Sequence, residues 1–92
     1  MDTLKSNPHA FCIKADVIGS RDSRLARFLP EIARALNERF AEALLTPFIV
    51  RAGDEIFGIL ENPQAGFLAY KALYAQSRER NVPFYVGMGV GA

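Results

Sequence analysis

The spacing of apolar residues in this chain switches from every second position to every third or fourth and back again, and it does so twice. Over residues 11–18, Phe11, Ile13, Ala15 and Val17 point one way and Cys12, Lys14, Asp16 and Ile18 the other, the period-two pattern of a strand. Over residues 24–44 the period lengthens. Leu25, Phe28, Leu29, Ile32, Leu36, Phe40 and Leu44 form a helical stripe, with Arg27, Glu31, Arg34, Glu38, Arg39 and Glu42 on the wet side. Pro30 interrupts this stripe: either the helix kinks there or the long helix begins there. Residues 46–52 and 55–60 read as two strands, with Pro47 at the start of the first, where a missing donor is tolerated. Asn62 and Pro63 then supply an N-cap and a first helical residue. The second helix is expected to run to about Arg80, with Phe67, Leu68, Ala72 and Ala75 as candidates for its buried side, and to end at Asn81-Val82-Pro83. Residues 84–90 close the chain as a strand. Phe84, Val86, Met88 and Val90 share one face; Tyr85, Gly87, Gly89 and Gly91 share the other.

The resulting order, β-α-β-β-α-β, is the ferredoxin-like plan. Right-handed crossovers predict an α+β fold: a four-stranded antiparallel sheet in the order 4-1-3-2 with both helices on one face. Half of the residues are hydrophobic, enough for one core, so residues 10–92 are read as a single domain behind a flexible arm, residues 1–9. Eleven Lys and Arg against ten Asp and Glu leave a net charge of +1 and no electrostatic case for nucleic acid or an anionic membrane. The single cysteine, Cys12, excludes an internal disulfide and any multi-thiolate metal site, and fits a reducing compartment. No apolar run approaches the roughly 18 residues of a membrane span, and the first residues lack the apolar region of a signal peptide. The expected location is cytoplasmic.

The topology has a chemical consequence. The end of the first strand lies near the start of the third, so Asp16 and Asp54 are expected at the same edge of the sheet. Each has an ordinary explanation. Asp54 follows Gly53 in what reads as a two-residue hairpin turn with positive φ at the glycine. Asp16 can cap a loop or pair with Lys14 or Arg21. Together they can also hold a divalent cation. The helix-free face would carry Cys12, Asp16, Ile49, Phe57, Ile59 and Tyr85 beside three glycines, too apolar a surface to stay in water. A partner subunit, making a homodimer through this open face, or a further stretch of chain is expected to cover part of it. His9 reads as a solvated arm residue and Cys12 as a small core or interface residue.

The stretches Ala15-Asp16-Val17-Ile18-Gly19-Ser20 and Ala52-Gly53-Asp54-Glu55-Ile56-Phe57-Gly58-Ile59-Leu60 resemble the SatD family of small bacterial proteins, which has a D-[IV]-[IV]-G-S-R stretch followed by a GDEF-like hairpin. Ile56 stands here at the family's Phe position and Phe57 at its polar one. The SatD pattern is in turn similar to the palm of class III nucleotidyl cyclases and GGDEF diguanylate cyclases, and residues 86–91 look like the Gly-rich fourth strand of cyclases. The resemblance spans roughly residues 10–91. It implies that Asp16, Asp54 and the Val17 carbonyl hold Mg²⁺ or Mn²⁺, with Glu55 as a further ligand or base. It also implies that the backbone N–H groups of Ile18, Gly19, Ser20 and Arg21 hold nucleotide phosphates. Family members are usually longer, so the chain is expected to be a fragment or a reduced member. Cyclases also use an Asn and an Arg on a later segment that has no counterpart here, so no catalytic residue is assigned; Asn37 is a weak candidate for contact with a guanine. Three functions follow: a metal-dependent nucleotide-binding palm with possible phosphoryl transfer, a non-catalytic dimerisation or regulatory module on the same fold, and a small-ligand sensor holding its ligand over Gly87 and Gly89.

Overall fold

The computed structural model describes residues 9–19 and 27–90. Strand β1 (Phe11–Val17) is followed by helix α1 (Leu29–Arg39), a single 3₁₀ turn (Ala41–Ala43), strands β2 (Leu44–Arg51) and β3 (Glu55–Leu60), helix α2 (Pro63–Arg80) and strand β4 (Phe84–Val90). The four strands form one antiparallel sheet in the order β2-β3-β1-β4, the predicted 4-1-3-2 read from the other edge. Most of the predicted arm, Leu25, Ser20, Arg21 and Gly91 lie outside the described residues.

The alternation in β1 sorts its side chains as expected: Ile13, Ala15 and Val17 are buried, while Lys14 is exposed. With Ile56 and Leu60 of β3 they meet Leu29, Ile32, Ala33 and Leu36 of α1 and Ala69 and Leu73 of α2 in one continuous core. Both helices therefore cover the same sheet face. Each large side chain buried there contributes about 1.5–3 kcal/mol relative to exposure.

Pro30 lies in the first turn of α1, so the helix begins there and does not kink. It ends at Arg39 and not at Leu44. The Phe40 N–H still bonds the Leu36 carbonyl, but φ −111° at Phe40 breaks the spiral, and Leu44 already pairs with Leu60 in the sheet. The apolar spacing carried on past the helix because Leu44 is half-buried from β2 as well.

In α2 the Asn62 side chain accepts the Ala65 N–H at 2.8 Å, with Pro63 at the first helical position. At the other end Asn81 adopts the left-handed conformation (φ 55°), and the Val82 N–H returns to the Ser77 carbonyl. The buried side differs from the expected one. Gly66, Ala69 and Leu73 face inward, whereas Phe67 and Leu68 are 58% and 50% exposed and Ala75 is exposed. The cause is a close approach. A Cβ on Gly66 would lie 2.0 Å from the Phe11 ring, so the glycine is the point where helix and β1 touch, and it sets the rotation of the whole helix. Phe67 and Tyr74 are left exposed on either side of the half-buried Tyr70, with ring centroids 6.4 and 6.5 Å from it.

Candidate functional site

The sheet brings the two predicted acids to one end. Asp16 is the partner of Glu55 on β3 and of Tyr85 on β4. Asp54 lies in the β2–β3 turn, where its carbonyl accepts the Val17 N–H at 2.9 Å. Both aspartates are half-buried. The turn is longer than predicted. Arg51 pairs with Glu55, so the loop is Ala52-Gly53-Asp54, and both Ala52 (φ 53°) and Gly53 (φ 81°) are left-handed.

Glu55 is engaged by two basic side chains. One of its carboxylate oxygens meets the Lys14 ammonium at 3.4 Å, and the other accepts a hydrogen bond from Arg51 Nε at 2.5 Å. Desolvation raises the Glu55 pKa, but the Arg51 guanidinium and then the Lys14 ammonium outweigh it and hold the carboxyl below its ordinary value. The Arg51 guanidinium also lies over the Phe57 ring, 4.1 Å from its centroid. The sequence did not single out this row of charge across the helix-free face. Its signal was the cross-strand register of Lys14, Arg51 and Glu55, which exists only once the strand order is known.

Glu55 therefore takes both nearby cations. Among the described residues, no hydrogen bond or ion pair reaches the Asp16 or Asp54 carboxylate. Lys14, a possible partner of Asp16, is turned to Glu55 instead. Two carboxylates with backbone oxygens are hard donors, and they suit a cation that keeps water and phosphate among its ligands. Among the described residues no group of three or more His, Cys, Asp or Glu side chains is placed to hold a metal ion.

The phosphate-binding stretch is seen in part. The Ile18 N–H donates to the Pro83 carbonyl at 2.9 Å and is thereby used within the fold. Gly19 turns the chain with φ 76°. Ser20 and Arg21 lie outside the described residues. Asn37 is engaged elsewhere: its amide donates to the Phe48 carbonyl at 2.9 Å and its carbonyl oxygen accepts the Phe48 N–H at 2.6 Å.

The helix-free face is less greasy than its composition suggested. Ile18, Ile49 and Tyr85 are 39%, 47% and 71% exposed, but Cys12, Phe57 and Ile59 are only half-exposed, and Arg51 shields the Phe57 ring. Two grooves lie on the opposite side. One, of about 590 Å³, runs between α1 and β2; the other, of about 390 Å³, runs between α2 and β4. Neither touches the acidic end. No helix among the described residues is long and apolar enough to cross a membrane. No protein-family model matches the chain, and no curated protein matches its sequence.

Proposed function

We propose that this domain binds a divalent cation, Mg²⁺ or Mn²⁺, together with nucleotide phosphates at the end of β1, as a palm of the kind its SatD-like and cyclase-like stretches suggest. The observation that carries this reading is the pair of aspartates that the sheet brings to one end. Among the described residues no cation reaches Asp16 or Asp54 at this end of the sheet, while Glu55 beside them has two. A cation bound by two carboxylates neutralises their charge. Asp16, Asp54 and the Val17 carbonyl are the ligands in this reading. In this reading residues 19–21 hold the phosphates, and Glu55 orients Lys14 and Arg51 without binding metal. A bound cation would supply charge neutralisation at a phosphoryl group.

Titration calorimetry with Mn²⁺ and a nucleoside triphosphate tests the reading. The expected result is saturable binding that Asp16→Asn and Asp54→Asn each weaken at least tenfold, while Glu42→Gln, remote from the site, leaves it unchanged. Absence of heat with the unaltered chain at millimolar cation would sink it. A second reading, a non-catalytic dimerisation or regulatory module, is favoured by the exposed Ile49 and Tyr85 on the helix-free face. It predicts self-association with no nucleotide dependence.

A further inference from the structure

We infer that β4 is the interface through which two copies of this chain join into one eight-stranded sheet, paired antiparallel about Gly87. The inference goes beyond the cation site and does not rest on it.

The phase of the β1–β4 ladder decides which groups are free. The Ile18 N–H bonds the Pro83 carbonyl, and the register pairs Asp16 with Tyr85, Lys14 with Gly87 and Cys12 with Gly89. Hydrogen bonding alternates along an antiparallel pair, so Tyr85, Gly87 and Gly89 aim their peptide groups at β1. Phe84, Val86, Met88 and Val90 therefore aim theirs outward, at an edge to which no other strand among the described residues is paired. This strand has none of the devices that keep an edge from pairing: no charged residue, no proline and no bulge.

A second copy fits this edge in a particular register. With Gly87 opposite its symmetry mate, Val86 meets Met88 and Phe84 meets Val90, and all four carry the free peptide groups. On the helix-free face Tyr85, 71% exposed, falls opposite Gly89, which has no side chain to obstruct the ring. An aromatic ring across from a glycine is a favoured cross-strand pair. The strand is thus complementary to itself, large opposite small, and pairing it brings no like charges together. Dyad symmetry is the commonest arrangement of soluble oligomers.

The helix side supplies further contact area. Tyr70, Leu73 and Tyr74 of α2 flank Phe84, Val86 and Met88 along the groove of about 390 Å³ at this same edge. Met88, Val90, Phe67 and Tyr74 are each about half exposed or more, so apolar surface continues from the strand onto the helix. A stable interface buries about 800 Å² per partner, more than one strand edge provides, and the aromatic row of α2 extends the patch.

Light scattering and sedimentation of the full chain at micromolar concentrations should find a dimer. Met88→Pro removes an edge-facing N–H that β1 does not use, and it should raise the concentration for half-dissociation at least tenfold while the melting transition of the monomer persists. Register is read separately by cross-linking in a Cys12→Ser background. Gly87→Cys places two thiols across the dyad at a non-hydrogen-bonded pair, where the Cα separation of about 4.5 Å suits a disulfide. A Cβ there meets nothing nearer than the Lys14 carbonyl at 4.0 Å, so the variant should fold. Gly89→Cys puts the thiols roughly 13 Å apart and should not cross-link. A monomer at every concentration overturns the inference. So does a dimer that is indifferent to Met88→Pro and forms no Gly87→Cys cross-link.

Discussion

β2 and β4 are both edge strands, and the chain treats them in opposite ways. β2 carries an exposed Pro47, two shifts in its register against β3, and a basic Arg51 at its end. Its outward backbone at Phe48 is not left to water. Asn37 reaches across from α1 and satisfies both the N–H and the carbonyl of that residue, as a neighbouring strand would. β4 has an unbroken register, no charge and a row of peptide groups that no strand among the described residues pairs. An unpaired edge is a template for another strand, and natural sheets either blunt it or use it. One chain doing both shows that the bare edge at β4 does not follow from the fold itself.

The largest expected effect lies at the blunted edge. Phe48 is 3% exposed and its ring lies on Gly58, where a Cβ would come within 2.6 Å. Phe48→Ala removes the ring that anchors β2 to the core and should cost about 3–5 kcal/mol in urea denaturation. Val90→Ala on β4, at a residue 61% exposed, should change the stability of the monomer by less than about 0.5 kcal/mol. Comparable losses at the two positions would break the contrast.

Asn37→Leu is the next test. It keeps the bulk and removes both bonds to Phe48, leaving a half-covered donor and acceptor without partners, a loss of about 1–3 kcal/mol. It also unblunts β2, so the variant should aggregate at concentrations where the unaltered chain does not. Light scattering alongside the melt separates the two consequences.

Asn37 also marks where sequence reasoning stopped. It sits beside the apolar stripe of a helix, and nothing in its neighbours says that its amide faces a strand eleven residues later. The strands and their order were legible, because alternation in β1 and the β-α-β-β-α-β succession are local patterns with few topological solutions. The meeting of Asp16 and Asp54 at one end followed from that order. The rotation of α2 was not legible. Phe67 and Leu68 are the bulky choices for a buried side, but the helix turns to the glycine that can touch the Phe11 ring, a contact between distant residues. The partners of Glu55 were not legible for the same reason: Lys14 and Arg51 come from two different strands.

That charge row gives a pH-dependent prediction specific to the β2 end of the sheet. The Glu55 carboxyl is held below its ordinary value of 4.5, so the folded state prefers it ionised. Its contribution is fully present above that value and is lost as pH falls through the lowered folded value. Melting temperature should therefore decline through the acid range, and Glu55→Gln should flatten that decline while lowering stability at neutral pH. High salt should shrink the difference, because Lys14 and Arg51 are about half exposed. A pH profile identical in the two proteins would remove Glu55 as the pin that holds β2 to β3.

The smallest effect concerns the turn that joins those strands. Ala52 holds φ 53°, a left-handed conformation that costs a non-glycine residue about 1–2 kcal/mol. Asparagine tolerates that region better, because its short amide can bond the local backbone. Ala52→Asn should stabilise the domain by about 0.5–1 kcal/mol, a rise of a few degrees in melting temperature. Ala52→Gly removes the same steric cost but adds freedom to the unfolded chain, so it should gain less. The ranking Asn above Gly above Ala is the informative result. It would show that the strain is local to residue 52, whereas a loss on both substitutions would show that the Ala52 methyl makes a contact the turn depends on. The turn sets the position of Asp54 against β1, so the Asn variant also offers a stabilised background in which to measure cation binding without touching either aspartate.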